Sequence, residues 1–249
     1  MTPKVRADQL LFAQGLVESR ERAKRLIMAG QVWRVVDGQK IPLDKPGQQV
    51  PEDTELALKK QERFVSRGGH KLLTALETFD LDVTGFVCLD AGASTGGFTD
   101  CLLQFGAAKV YAADVGRAQL HEKMRQDARV VNLEGINLRL ADEHLIAEPV
   151  DLVVADVSFI SLTKILPPCM RFLKSSGQVV ALIKPQFELG PGDNVKGVVK
   201  EERLRQRAVD EVTTFCSREL GLVPQGIVPS RIKGPKGNQE YLAWFTRAT

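Results

Sequence analysis

From Phe86 onward the chain alternates short apolar runs with segments of helical spacing, and most of the runs end at an acid or a lysine. The runs fit Phe86 to Asp90, Lys109 to Asp114, Arg129 to Val131, Asp151 to Ala155 and Gln178 to Ile183. Helical spacing fits Phe98 to Phe105, Ala118 to Gln126, a segment from Ile160 to Leu173 interrupted by Pro167 and Pro168, and a long helix from Lys200 to Leu220. Strands that are apolar throughout and separated by helices belong in a parallel sheet covered on both faces. A final run, Tyr241 to Thr246, follows an irregular stretch from Arg231 to Gln239. The expected class is therefore α/β.

The first strand leads into a turn of small residues, Asp90-Ala91-Gly92-Ala93-Ser94-Thr95-Gly96-Gly97-Phe98. Glycines there let backbone approach a ligand closely, and the following helix start offers unpaired N–H groups to a carboxylate or phosphate. The spacing is not the G-x-G-x-x-G of dinucleotide sites, and no lysine follows in P-loop register. The turn resembles the first motif of S-adenosylmethionine-dependent methyltransferases. That resemblance implies S-adenosyl-L-methionine as cofactor, held by Asp90, Gly92, Ser94, Thr95, Gly96, Gly97 and Phe98.

Ligands of such sheets bind beyond the carboxyl ends of the strands. Asp114 ends the second strand there, where an acid can accept both hydroxyls of a ribose. Asp156 ends the fourth and Lys184 the fifth. With the last strand antiparallel, as is usual in methyltransferase sheets, Glu240 starts at the same edge, and Lys71, on the helix leading into the first strand, can reach it. Asn132-Leu133-Glu134-Gly135-Ile136-Asn137 offers Glu134 or Asn137 to an adenine edge, with Asn137 carried as the candidate.

The net charge of +3 decides little, but its distribution is uneven: residues 1–71 hold 14 Lys+Arg against 9 Asp+Glu. A polyanion is best held at that end. The first 60 residues read as a separate small α+β module. Ala7 to Gln14 and Arg20 to Ala29 are helices, Ser19 caps the second, Val32 to Val36 is a strand, Asp37-Gly38 is a hairpin turn, and Leu56 with Leu58 marks another strand. Gln61 to Gly69 reads as a linker and His70 to Phe79 as the next helix, so the expected organisation is 1–60, 61–69 and 70–249. The four cysteines sit singly in apolar stretches, and neither they nor the three histidines have metal-ligand spacing. No run is long enough to span a membrane and no signal peptide is present, which leads to the expectation of a cytoplasmic protein with no metal and no membrane partner.

The order Arg6-x-Asp8-x-Leu10…Gly15-Leu16-x-x-Ser19-Arg20-x-x-Ala23-x-x-Leu26-Ile27-x-x-Gly30-x-Val32 resembles the RNA-binding domain named after the small-subunit ribosomal protein S-four. It implies phosphate contacts by Arg6, Arg20, Arg22, Lys24 and Arg25. By spacing, Glu18 and Glu21 lie within helical reach of Arg22 and Arg25, so part of that charge is paired internally. Arg67 joins them as an RNA-binding candidate, and the basic stretch Arg231, Lys233 and Lys236, which with Gly234, Pro235 and Gly237 precedes Glu240, is either a loop that closes over RNA phosphates or a disordered one.

Arg67-Gly68-Gly69-x-Lys71-Leu72, the glycine turn, Asp156-Val157-Ser158-Phe159-Ile160-Ser161-Leu162, Lys184-Pro185-Gln186-Phe187-Glu188 and Asn238-x-Glu240-Tyr241 together resemble the TlyA (hemolysin A) family over essentially the whole chain. The family joins such a module to an FtsJ-like, Rossmann-like methyltransferase domain. The resemblance implies methylation of a ribose 2′-hydroxyl of ribosomal RNA, free or in a ribosomal subunit, by a tetrad of Lys71, Asp156, Lys184 and Glu240. A ribose hydroxyl is a poor nucleophile, so its proton must leave and its developing alkoxide must be stabilised. Lys184 is expected to serve as base or as oxyanion stabiliser, with Asp156 orienting it and lying against the cofactor near the methyl donor, and Glu240 holding Lys71 or the ribose. The alternatives are a membrane-active hemolysin and a non-catalytic ribosome-associated RNA-binding protein.

Overall fold

The structure is a computed structural model that describes residues 2–59, 62–193 and 196–247. The chain forms two compact units, Met1–Glu62 and Arg63–Thr249. The expected boundary at residues 60 and 61 lies outside the described residues.

The smaller unit runs β1 (Lys4–Arg6), α1 (Ala7–Ala13), α2 (Arg20–Met28), β2 (Val32–Val36), β3 (Gln39–Pro42), β4 (Gln49–Pro51) and β5 (Glu55–Leu58). Ser19 Oγ accepts the Arg22 N–H at 3.2 Å and so caps α2. Asp37 and Gly38 are both left-handed, at φ 50° and 76°, which matches the twist a two-residue hairpin between β2 and β3 requires. Leu10, Leu11, Ala23, Ile27, Val32, Leu43, Val50 and Leu56 form its core. The pair β1–β4 has no sequence signal of its own, because strands of three residues are too short to show an alternation.

The larger unit continues with α3 (Gly68–Thr78), β6 (Val87–Ala91), α4 (Gly97–Gln104), β7 (Lys109–Asp114), α5 (Glu122–Arg125), β8 (Val130–Glu134), β9 (Val150–Ala155), α6 (Leu162–Cys169), β10 (Leu173–Ile183), α7 (Pro185–Glu188), α8 (Glu202–Leu220), β11 (Leu222–Pro229) and β12 (Tyr241–Arg247). Seven strands make one sheet in the order β11-β12-β10-β9-β6-β7-β8. Strands β6 to β10 are parallel, and β12 lies antiparallel between β10 and β11. Alternate residues face opposite sides of the sheet. Leu89, Ala91, Tyr111 and Val153 pack with α6 and α8, whereas Cys88, Val110, Ala112 and Leu152 pack with α3 and α4. Each fully buried leucine in these layers, such as Leu72, Leu102 or Leu166, contributes roughly 1.5–3 kcal/mol. All four cysteines are buried and free, and burial pushes the Cys169 and Cys216 thiols up to about 12.

Four segments differ from expectation. Residues 63–67, read as part of a linker, pack into the larger unit. Phe64 is buried, and the Asp100 carboxylate accepts the Val65 N–H at 2.8 Å while pairing with Lys123 at 3.0 Å. The Ile160–Leu173 segment carries one uninterrupted helix, α6. Ser161 Oγ caps its start, and Pro167 and Pro168 fall in its last turn, which the Met170 N–H closes onto the Leu166 carbonyl. The helix expected from Ala118 is only the four residues of α5, since Ala118 itself is left-handed at φ 55°. Finally, β11 gives no strand pattern because Pro224, Gly226 and Pro229 punctuate it. Proline is tolerated in a sheet at an edge, and β11 is the edge strand.

Candidate active site

The carboxyl ends of β6, β7, β9 and β10 and the amino end of β12 meet at one rim of the sheet. The glycine turn occupies its middle, and each glycine there answers a specific contact. A β-carbon on Gly92, at φ 90°, would lie 2.7 Å from the Asp156 carbonyl oxygen. One on Gly97 would lie 2.3 Å from Ser66 Oγ, where the starts of α3 and α4 meet. The turn is tied to the neighbouring strand because the Gly92 and Ala93 N–H groups both donate to the Ala113 carbonyl.

Asp114 accepts the Ser94 N–H at 2.8 Å and the Gly116 N–H at 2.7 Å, one on each carboxylate oxygen. Its carboxylate is thereby fixed at the mouth of a cavity of about 520 Å³ walled also by Val115, Asn137, Leu138, Asp156 and Phe159. Of the two residues open in the sequence, Asn137 faces this cavity. Glu134 instead accepts the Gln119 and Leu120 N–H groups and the Asn132 amide, which hold its carboxyl below the usual range.

Asp90 is fully buried at the end of β6. Thr99 Oγ1 donates to its Oδ2 at 2.7 Å, while Oδ1 has no partner among the described residues. Burial raises its pKa to about 7 in spite of that hydrogen bond. An unpartnered buried acceptor beside a glycine cradle fits a ligand that brings its own positive charge or N–H donor. The residues present therefore fit a nucleoside that carries an amino-acid group, such as S-adenosylmethionine: Asp90, Gly92 and residues 94–98 toward the amino-acid end, Asp114 toward the ribose, Asn137 toward the base.

The other side of the rim holds two ion pairs. Lys184 Nζ lies 2.5 Å from Asp156 Oδ1 and donates to Ser158 Oγ at 2.9 Å. Lys71 Nζ, from the first turn of α3, lies 2.6 Å from Glu240 Oε2. The register Ile183↔Tyr241 brings Lys184 and Glu240 side by side although they are 56 positions apart. Both lysines are nearly buried and Glu240 is completely so. Lys71, Asp156, Ser158 and Lys184 line a second cavity of about 290 Å³, with Glu240 behind Lys71. Gly92, Ser94, Asp156 and Ser158 belong to both cavities, so the two adjoin. Buried charges persist only when matched, and here each lysine has its own carboxylate.

Residues 64–247 match the family described as FtsJ-like methyltransferase, and residues 5–56 match the S4 domain. A Mycobacterium tuberculosis protein named 16S/23S rRNA (cytidine-2′-O)-methyltransferase TlyA is 45% identical over 252 residues, covering 100% of this chain and 92% of its own length. The chain belongs to the TlyA (hemolysin A) family. A TlyA-family relative from Brachyspira hyodysenteriae, named Hemolysin A, is 40% identical over 97% of this chain and 99% of its own. A solved structure from Streptococcus thermophilus, provisionally named a hemolysin, superposes with a TM-score of 0.73 at 45% identity, covering 100% of this chain and 90% of that one.

The six basic residues expected to meet RNA divide between the two units. In the S4 unit of this TlyA-family chain, Arg6 lies 2.9 Å and Arg20 3.7 Å from the buried Asp8, whose carboxyl is held below its usual range chiefly by the Arg6 hydrogen bond. Arg22 pairs with Glu18 at 3.9 Å, and Lys24, rather than Arg25, pairs with Glu21 at 4.0 Å. Arg25 is exposed and has no carboxylate within 4 Å among the described residues. Arg67 belongs to the methyltransferase unit, on the wall of the smaller cavity.

Three contributors to the site carry no role of their own in the sequence reading. Ser158 and Asn238 sit within quoted motifs, but only the fold shows what they touch. Gly234 lies in a loop without periodicity.

Proposed function

We propose that the chain transfers a methyl group from S-adenosyl-L-methionine to a ribose 2′-hydroxyl of ribosomal RNA. The observation that carries this reading is the pair of matched buried ion pairs, Lys184–Asp156 and Lys71–Glu240, at the wall of a cavity that adjoins the glycine-turn pocket. Relatives of similar length named as rRNA (cytidine-2′-O)-methyltransferases support the substrate class. When bound, the cofactor supplies an electrophilic methyl group on a sulfonium.

The chain's own residues supply the rest. Asp114 and Asn137 orient the nucleoside part, and Gly92 leaves room for its approach. Ser158 accepts one of the three donor directions of the Lys184 ammonium and Asp156 holds it by charge, which leaves a donor for the acceptor oxygen. As an ammonium, Lys184 stabilises the negative charge that develops on the oxygen while the hydroxyl proton passes to solvent; as the neutral amine, once its own extra proton has gone to solvent, it takes up the hydroxyl proton itself. Lys71, held by Glu240, puts a second positive charge on the same wall. Arg6, Arg20, Arg22, Lys24, Arg25 and Arg67 hold RNA by its phosphates and position it without reading its sequence. The protein would act in the cytoplasm, where ribosomal RNA is found.

The test is methyl transfer by Lys184→Ala with labelled cofactor and ribosomal RNA. Activity is expected to fall at least about 100-fold with cofactor binding intact. No described helix is long and apolar enough to cross a membrane. Leakage of liposomes by purified protein would favour a hemolysin instead.

A further inference from the structure

The wall of the smaller cavity carries more positive than negative charge. Lys71 and Lys184 are matched by Glu240 and Asp156, whereas Arg67 and Lys233, on the same wall, have no carboxylate within 4 Å among the described residues. Lys233 belongs to the loop between β11 and β12, and its two basic neighbours are differently engaged. Arg231 pairs with Glu77 of α3 at 2.5 Å, and Lys236 donates to the Lys196 carbonyl at 3.2 Å.

The loop is fixed on both sides of Lys233. Before it, the Ser230 hydroxyl, which is buried, donates to the Ile232 carbonyl at 2.8 Å and accepts the Ile232 N–H. After it, the Gly234 N–H donates to the Asn238 carbonyl, and the buried Asn238 side chain accepts the Val199 N–H and donates to the Gly197 carbonyl. A lysine whose backbone is pinned at the rim of a cavity, with no carboxylate partner among the described residues, is placed for an anionic group on the incoming molecule.

We infer that Lys233 binds a phosphodiester flanking the target ribose and so helps to seat the acceptor nucleotide. The inference rests on the proposed RNA ribose substrate, because a 2′-hydroxyl within a chain always arrives with a phosphodiester on each side. The contact is one of charge alone, so it raises affinity for any RNA sequence and weakens with salt.

The test compares Lys233→Ala, Lys233→Glu and Arg231→Ala with the wild type, reading KM for ribosomal RNA at saturating S-adenosylmethionine over a range of salt. Lys233→Ala is expected to raise KM about fivefold to tenfold and to reduce the slope of log KM against log salt by about 0.7, the value for one phosphate on a single strand. Lys233→Glu is expected to raise KM further. Arg231→Ala, with the same charge lost from the same loop but outside the cavity, is expected to leave both unchanged. Equal effects of Lys233→Ala and Arg231→Ala, or none from Lys233→Ala while the wild type methylates RNA, would overturn the role of Lys233. A wild type that methylates no ribosomal RNA would instead contradict the function on which the inference rests.

Discussion

Gly234 lies against the Glu240 carboxylate so closely that a β-carbon on it would stand 2.0 Å from Glu240 Oε1. Its φ is −70°, so the requirement is one of space and not of backbone conformation. The loop passes over the rim at the place where the partner of Lys71 is buried. Gly234→Ala must move the loop or displace the carboxylate from Lys71. The expected result is a fall in kcat of roughly tenfold or more, with S-adenosylmethionine affinity unchanged by calorimetric titration. Wild-type kcat in a folded Gly234→Ala protein would contradict the expectation that close packing of Gly234 on the Glu240 carboxylate is needed for turnover.

Ser158 accepts from Lys184 and so restrains which way the ammonium points. Ser158→Ala removes one acceptor but leaves Asp156. Turnover is expected to fall about tenfold with little change in either KM, and Ser158→Thr, which keeps the hydroxyl, is expected to recover most of it. Single-turnover kinetics separate this from a change in product release.

Asp90 makes stability depend on pH with a definite sign. Its pKa rises from 3.8 to about 7 on folding, so between these values the folded state keeps a proton that the unfolded state gives up. Its contribution to stability therefore falls as pH rises from about 4 to about 7 and is level above. Between about pH 5 and pH 8 the loss is roughly 2–3 kcal/mol. Asp90→Asn removes the ionisation responsible for that dependence. Urea unfolding of the cofactor-free protein is expected to show the wild type losing more stability than Asp90→Asn over this range. Parallel curves would mean that Asp90 is ionised without penalty.

Asn238 joins two loops through three side-chain hydrogen bonds, to Val199 N–H and to the Gly197 and Pro235 carbonyls. Asn238→Ala is expected to lower stability by about 2 kcal/mol, given roughly 1 kcal/mol for each bond with some replacement by water. It is also expected to raise KM for RNA, since the segment carrying Lys233 loses its anchor. Denaturant midpoints and steady-state kinetics read the two effects separately.

The strands that build the rim are legible in the sequence because they are buried on both faces. Val87–Ala91 and Lys109–Asp114 are five and six residues long and apolar but for Asp90, Lys109 and Asp114, a length that suits a strand and is short for a helix. In β9, Leu152 and Val154 pack on one face while Val153 and Ala155 pack on the other, so the run needs no polar residue along its middle. The antiparallel placement of β12 follows from the likeness to methyltransferase sheets, and with it the neighbourhood of Lys184 and Glu240.

What the sequence hides is set by tertiary contacts. Proline carries two meanings: Pro167 and Pro168 sit in the last turn of a helix whose sequence suggests a break, and Pro224 and Pro229 lie in a strand whose sequence shows no pattern. Glu134 and Asn137 are both polar and three positions apart. Only the Gln119 and Leu120 N–H groups show that Glu134 is occupied elsewhere. Gly234 has no signal at all, because its role is the absence of an atom beside a carboxylate six residues away.

Whether Lys184 acts on a ribose hydroxyl of RNA is decided most directly by mapping 2′-O-methylation on ribosomal RNA after incubation with S-adenosylmethionine and either the wild type or Lys184→Ala. The expected result is a ribose methylation installed by the wild type and lost in Lys184→Ala, while both proteins bind the cofactor equally. Methylation at near-wild-type rate by Lys184→Ala, or methyl groups found only on bases, would contradict it.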